Sequence, residues 1–70
     1  MNRVPVSSLN LRSVGYDQTT NTLEVEFNHG GIYQYFCVPP HVHSELMKAP
    51  SKSRYLYVNV KKAGYSYRKV

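Results

Sequence analysis

The fold is decided by residues 22–38, whose sequence is TLEVEFNHGGIYQYFCV. Leu23, Val25 and Phe27 alternate with glutamates, a pattern typical of a strand with one buried face and one solvent face. The glycine pair that follows can adopt the positive φ angles of a tight hairpin turn, and a second apolar run comes directly after it. The sequence therefore predicts a hairpin with strands at residues 22–28 and 31–38.

A further strand is predicted on the N-terminal side of the hairpin, at residues 9–16. Leu9 and Leu11 share one phase of this strand, whereas Val14 and Tyr16 share the other. If all four residues face the core, the strand must contain a bulge between the two pairs.

A helix is predicted after the hairpin, where two prolines end the second strand. Val42, Leu46 and Ala49 recur at the spacing of one helix face, and a proline is tolerated at the first helical position. We predict this helix at residues 40–49, because Pro50 breaks the pattern.

The sequence of residues 52–62 fits either a helix or a strand. Leu56 and Val60 have the spacing of a helix face, and a serine before them is a suitable helix cap. Residues 55–60 also alternate in β-forming residues, which favours a strand. A closing strand is predicted at residues 65–69 in either case.

The 70 residues are expected to form one domain, with residues 1–5 disordered. The predicted fold is α+β, an antiparallel β-meander of three strands with two short helices packed on one face and a C-terminal strand. The single cysteine, Cys37, leaves this small core without an internal disulfide. No apolar run reaches the length of a signal peptide or a membrane span, so we expect a cytoplasmic protein without membrane contact.

Positive charge is concentrated in the last third of the chain. Residues 46–70 contain seven of the nine lysines and arginines and none of the four acidic residues. Such a block attracts phosphates or acidic partners, although a charged surface also serves simply to keep a small protein soluble.

Catalytic chemistry has no candidate residues in this sequence. Cys37, His41 and His43 lie close together, but two histidines two positions apart on a helix diverge and do not form a metal site. Glu24 and Glu26 share the solvent face of their predicted strand, with no sign of the burial that would separate their pKa values. We therefore expect a non-enzymatic protein without a metal or cofactor.

Six of the seven tyrosines form three Tyr-x-Tyr pairs, which are Tyr33 and Tyr35, Tyr55 and Tyr57, and Tyr65 and Tyr67. On a strand, such a pair places two rings on one face. Proteins that bind single-stranded nucleic acid combine aromatic surfaces with a basic groove, but tyrosine is also a common residue at the edge of a small core. The predicted nucleic-acid-binding residues are Lys52, Arg54, Lys61, Lys62, Tyr65, Tyr67, Arg68 and Lys69.

Several short motifs follow one another along the chain. They are Ser7-Ser8, Leu11-x-Ser13-Val14-Gly15-Tyr16-Asp17, Leu23-x-Val25-x-Phe27, Gly31-x-Tyr33-x-Tyr35, Val38-Pro39, Leu46-Met47-x-Ala49-x-Ser51-Lys52 and the Tyr-x-Tyr near the end. Over residues 6–70 the chain thereby resembles the KTSC domain, a module at the C-terminus of some lysyl-tRNA synthetases that also occurs as free-standing small bacterial or phage proteins. The resemblance implies that Tyr33 and Tyr35 are the family hallmark, and it favours a helix for residues 52–62.

The predicted function is binding of RNA or another single-stranded nucleic acid through the basic C-terminal third and exposed tyrosines. The attachment of the KTSC domain to a tRNA enzyme implies the same role. The alternative is a protein–protein interaction module whose tyrosine-rich surface binds an acidic partner or a second copy. We expect a monomer or a weak dimer.

Overall fold

One five-stranded antiparallel sheet and two helices form the structure, a computed structural model that describes residues 1–70. The strands are β1 (Arg3–Pro5), β2 (Leu11–Asp17), β3 (Thr22–Phe27), β4 (Ile32–Tyr35) and β5 (Tyr67–Lys69), and the helices are α1 (Pro40–Lys48) and α2 (Lys52–Leu56). A π-helical turn, Tyr57–Lys61, continues α2. The strands lie in the sheet in chain order, β1-β2-β3-β4-β5, which confirms the α+β class but adds a strand to the predicted fold.

The β3–β4 hairpin forms as its alternation predicts. Leu23 and Val25 lie opposite Tyr35 and Tyr33, so the apolar residues of β3 and both tyrosines share one face of the sheet. Gly30 in the turn has a φ of 102°, a conformation that an L side chain rarely adopts.

The second strand of the hairpin ends earlier than predicted. β4 stops at Tyr35 rather than at residue 38, because Cys37 has a φ of 59° and directs the chain out of the strand. The neighbouring Phe36 N–H still donates a hydrogen bond to the Ser66 carbonyl, at 2.8 Å, so the chain remains beside the segment that becomes β5.

β2 contains a bulge where the sequence required one for Leu11 and Val14 to face the core together. The pairing of β2 with β3 changes register between Leu11 and Ser13, which turns both Leu11 and Val14 into the core. Leu9 does not share this orientation, since it is 90% exposed. It lies in a bend before β2, where the Leu11 N–H donates to the Ser8 hydroxyl at 3.4 Å.

The N-terminal residues, expected to be disordered, form an edge strand. β1 pairs with β2 so that Arg3 lies opposite Gly15 and Pro5 lies opposite Ser13. An added Cβ on Gly15 would lie 2.8 Å from the Asn2 carbonyl oxygen, so only glycine permits this close approach.

Both helices form, and the strand alternative for residues 52–62 is wrong. Ser51 caps α2 by accepting a hydrogen bond from the Arg54 N–H at 3.4 Å. Leu56 and Val60 are fully buried at helical spacing, and the Lys62 N–H donates to the Tyr57 carbonyl at 2.9 Å to close the π-helical turn. No helix is long and apolar enough to cross a membrane.

The core lies between one face of the sheet and the helices. Val42 and Leu46 of α1 and Leu56 of α2 pack in the same cluster as the apolar residues of β2 to β4. The buried residues of this cluster are Leu11, Val14, Leu23, Val25, Phe27, Tyr35, Val38, Val42, Leu46, Leu56 and Val60. The core-facing tyrosines are therefore held by packing from two layers.

Candidate nucleic-acid interface

A cavity of about 300 Å³ lies beside the core where β3, β4 and β5 meet the π-helical turn. We call it the tyrosine pocket, and its lining residues are Phe27, His29, Tyr33, Tyr35, Lys61 and Tyr67. Strand pairing brings the tyrosines together, since Tyr35 lies opposite Tyr67 and Tyr33 lies opposite Lys69 across β4 and β5. Opposite residues project to the same face of a sheet, so β5 adds an aromatic ring and a cation to the hallmark pair.

The aromatic rings of the pocket contact one another edge to face and at tilted angles. The ring centroids of Phe27 and Tyr33 are 5.6 Å apart at 84°, and those of Tyr33 and Tyr67 are 6.1 Å apart at 49°. The ring of His29 stacks on Phe27 with centroids 5.4 Å apart. These distances are typical of favourable aromatic pairs, so the walls of the pocket are fixed by packing.

Two tyrosines of the pocket differ sharply in exposure. Tyr35 is 3% exposed, and burial, followed by the neighbouring Tyr33 and Tyr67 phenols, raises its pKa to about 12. Tyr67 is 62% exposed, so its ring is open to a partner. Tyr35 therefore forms the wall of the pocket, and Tyr67 is its accessible surface.

A second cavity of about 480 Å³ adjoins the tyrosine pocket and shares Phe27, His29 and Lys61 with it. It extends along α2, where Arg54 and Tyr57 line it. The Lys61 ammonium lies 5.0 Å from the centroid of the Phe27 ring, within the range of a cation–π contact. We call the two cavities together the aromatic groove.

No carboxylate lines the aromatic groove. Glu24 and Glu26 lie on the other face of the sheet, where the side chain of Arg3 forms an ion pair with Glu24. Gln34 also donates to Glu24, at 2.8 Å. These acidic side chains thus lie on the face opposite the groove, and the side chains with a permanent charge that line the groove are the cations Arg54 and Lys61.

The expectation that Glu24 is solvent-exposed is wrong, because this residue is only 7% exposed. Burial raises the pKa of Glu24, but the hydrogen bonds from Gln34 and Arg3 and the charge of Arg3 together outweigh burial and lower it. Ser13 connects the network, since it accepts from Arg3 and donates to Glu26, each at 2.9 Å. All these polar groups are partnered, so the cluster is structural.

Half of the predicted binding residues lie at the groove. Arg54, Lys61 and Tyr67 line it, and Lys69 lies on the same face as Tyr33. Two cations therefore line the groove, Arg54 of α2 and Lys61 of the π-helical turn, and Lys69 of β5 lies beside it.

The other four predicted residues do not line the groove. Arg68 is opposite Gln34, on the face away from the groove, and Tyr65 is half-buried against the core. Lys52 donates to the Ala49 carbonyl at 3.2 Å, and the Lys62 ammonium lies 5.8 Å from the Tyr57 ring centroid. These residues were predicted together with the others because all of them lie in the basic last third of the chain. Position in the chain does not show which face a side chain occupies.

Phe27 and His29 line both cavities and were not among the predicted binding residues. The sequence contained a signal, since both residues continue the alternation that begins at Leu23. His29 itself lies in the hairpin turn, between the two strands. The register of β3 with β4 is needed to see that this turn lies beside Tyr33.

The fold and the groove define a small basic α+β domain whose paired tyrosines lie on the helix-covered face of an antiparallel sheet. The chain belongs to the KTSC domain family, whose model matches residues 7–67. It is similar to a crystal structure of a KTSC domain protein from Yersinia pestis, with a TM-score of 0.93, 39% identity, and coverage of 99% of this chain and 96% of the other.

Curated relatives include free-standing and attached versions of the domain. An uncharacterised protein of Stutzerimonas stutzeri is 41% identical over 70 residues, which are 100% of this chain and 99% of that protein. A lysine–tRNA ligase of Nostoc sp. is 45% identical over 51 residues, which are 73% of this chain but 9% of the ligase. A second, from Nostoc punctiforme, is 44% identical over 45 residues, 64% of this chain and 8% of the ligase.

Proposed function

We propose that this chain binds single-stranded nucleic acid, RNA in particular, through the aromatic groove. The observation that carries the proposal is the placement of the exposed Tyr67 ring beside Lys61 in a groove without carboxylates. Bases stack on aromatic rings while cations hold the phosphates, and both groups are needed for binding without sequence preference. A duplex is not expected to be the preferred ligand, because its paired bases offer no ring face to Tyr67.

The arrangement of the cations supports a strand that runs along the groove. Lys61 lies between the two cavities, Arg54 lines the far cavity, and Lys69 lies beside Tyr33 at the near end. None of the three is in a salt bridge, since the ion pairs of the protein are those of Arg3 with Glu24 and Glu26. All three are therefore free to contact phosphates. The likeness to part of a lysine–tRNA ligase, an enzyme named for an RNA substrate, is consistent with an RNA ligand.

Fluorescence anisotropy with labelled RNA, single-stranded DNA and duplex tests the proposal. Between about 50 and 300 mM salt, affinity should fall with a logarithmic slope of about −0.7 for each phosphate contacted. Lys61→Gln should weaken binding, whereas Lys48→Gln removes an equal charge from an exposed residue that lines neither cavity. The absence of binding at the lowest salt, or equal effects of the two variants, would contradict a groove-bound strand.

Protein interaction is a second candidate, favoured by a shallow surface next to the groove. Ala49, Pro50, Tyr55 and Val58 line a third cavity, and Val58 is exposed. Exposed apolar residues of this kind are typical of contact surfaces. Sedimentation at several concentrations, with Val58→Ser as the matched variant, measures self-association at this surface.

A further inference from the structure

Three phenol hydroxyls in the tyrosine pocket lack a partner within the protein. The hydroxyls of Tyr16 and Tyr55 are hydrogen-bonded to protein groups, whereas those of Tyr33, Tyr35 and Tyr67 are not. Every fully buried side-chain nitrogen and oxygen of the protein has a partner. The Tyr35 hydroxyl is therefore open, and the tyrosine pocket is the cavity that this residue lines.

This hydroxyl is a group that a ligand would satisfy. The side chain of Tyr35 is almost completely buried and lines the tyrosine pocket, which is the route by which a ligand would reach its accessible hydroxyl. Because the hydroxyl is accessible, water can hydrogen-bond to it in the free protein, and a ligand atom at that position would take the place of that water. The three tyrosines lie close together, since the ring centroid of Tyr67 is 6.1 Å from that of Tyr33 and 5.7 Å from that of Tyr35.

The shape and charge of the pocket favour a flat, neutral ligand with a polar edge. Rings form most of its walls, and about 300 Å³ is the lower end of the range for small-molecule sites. A phosphate among the phenols would lose its hydration with only Lys61 to neutralise it, which is costly. A heterocycle instead offers ring faces to the walls and polar atoms to the hydroxyls, and leaves its phosphate outside.

We propose that the tyrosine pocket binds one unpaired nucleobase, with the polar edge of the base toward the Tyr35 hydroxyl and the adjoining phosphate beside Lys61. This inference rests on the proposed function and adds the unit that is recognised, a single nucleotide. A hydroxyl both donates and accepts, so it pairs with the edge of any base. The pocket should therefore bind a nucleotide more tightly than a sugar phosphate that lacks a base, and it should bind the different bases with similar affinity.

Nuclear magnetic resonance titration of the full chain tests this inference with uridine monophosphate, adenosine monophosphate and ribose 5-phosphate. The first two should shift the amide resonances of β4 and β5 with similar affinities. Ribose 5-phosphate should bind at least about tenfold more weakly, the loss expected when one stacked base is removed. Equal binding of ribose 5-phosphate would overturn the proposal, since it would place the phosphate in the pocket.

Tyr35→Phe provides a test that leaves packing unchanged. Because the hydroxyl has no protein partner, the variant should keep the melting temperature of the wild type, while nucleotide affinity falls about three- to tenfold. Tyr55→Phe is the matched control, since it removes a hydroxyl bonded to Glu45 outside the pocket and should leave nucleotide affinity unchanged. Unchanged affinity in a folded Tyr35→Phe protein would contradict the inference.

An oligonucleotide titration separates this inference from the proposed function. If an RNA oligonucleotide binds while mononucleotides leave β4 and β5 unaffected, the base pocket is wrong and nucleic-acid binding remains. If mononucleotides bind and no oligonucleotide does, the pocket is correct as a nucleotide site and the proposed function is wrong. Both are wrong if neither ligand binds.

Discussion

Tyr35 and Tyr67 face each other across β4 and β5 with ring centroids 5.7 Å apart, yet one is 3% exposed and the other 62%. The buried ring belongs to the core and the exposed ring is supported by it. The sheet thus fixes one tyrosine so that its neighbour has a defined position at the surface. Substitutions of the two residues should therefore have different effects.

Tyr67→Ala should weaken RNA binding about tenfold while changing stability little. A base stacked on an aromatic side chain contributes about 1–3 kcal/mol, and this exposed ring contributes little to the core. Anisotropy and thermal unfolding measure the two quantities. Tyr67→Phe is the control, since it keeps the ring and should keep most of the affinity; equal losses in both variants would argue against stacking.

Lys69→Gln should reduce the salt dependence of binding, whereas Arg68→Gln should not. The two residues are adjacent, but Lys69 lies opposite Tyr33 on the groove face and Arg68 lies opposite Gln34 on the other face. Loss of one phosphate contact lowers the slope of log affinity against log salt by about 0.7. Identical slopes for the two variants would indicate that only net charge matters.

Arg3→Met should destabilise the protein by about 2 kcal/mol near neutral pH, because the buried Glu24 carboxylate loses its charged partner. The folded-state pKa of Glu24 is lowered from its ordinary 4.5, so its stabilising contribution is present above pH 4.5 and is lost as the pH falls through the folded-state pKa. The difference between wild type and variant should therefore shrink in acid. Urea unfolding at about pH 7 and pH 3 measures it. A difference independent of pH would show that Arg3 acts through packing alone.

Alkaline titration should reveal late tyrosines, because the pKa values of Tyr16, Tyr35 and Tyr55 are all raised. Burial raises the pKa of Tyr35 to about 12, and burial with the Glu45 hydrogen bond raises that of Tyr55 to about 12. Their folded-state pKa values exceed the ordinary 10.0, so the stability they contribute is present below pH 10 and is lost as the pH rises toward 12. Tyrosinate absorbance follows the titration. Simultaneous ionisation of all tyrosines near pH 10 in a folded chain would contradict this environment.

Gly15→Ala should destabilise the protein by about 1–3 kcal/mol, because the new methyl group overlaps β1. Its Cβ would lie 2.8 Å from the Asn2 carbonyl oxygen and 3.0 Å from the Arg3 Cγ atom. Denaturant unfolding of chains with and without residues 1–5 measures the effect. The substitution should destabilise the shortened chain only slightly. An equal loss of stability in both chains would show that the strain does not come from β1.

The sequence predicted the elements whose patterns are local. Alternation from Leu23 to Phe27 and the glycine turn define β3 and its hairpin, and helical spacing places Val42 and Leu46 in the core. β1 was missed because Arg3–Pro5 is a three-residue edge strand with no alternation of its own. Leu9 fell within the predicted strand because it is apolar, but it lies in the bend before β2 and is exposed.

The candidate site was harder to predict than the fold, because its residues meet through long-range strand pairing. Tyr67 and Lys69 were predicted as contacts, but the register of β5 with β4 is what places them beside Tyr33. The same register sends Arg68 to the opposite face. The distribution of charge along the chain does not show which residues share a face of the sheet. Phe27 and His29, which line the pocket, were therefore not predicted.

The late position of β5 in the chain has a consequence for folding order. β3 and β4 join through a short turn, whereas both helices lie between β4 and β5. Closing a long loop costs entropy before its contacts form, so contacts of high sequence separation slow a folding reaction. A chain that has formed its hairpin already contains Tyr35 but has no pocket until Tyr67 docks. Ligand binding should therefore report the final ordering of the C-terminal strand, and fraying of that strand would release the ligand without unfolding the core.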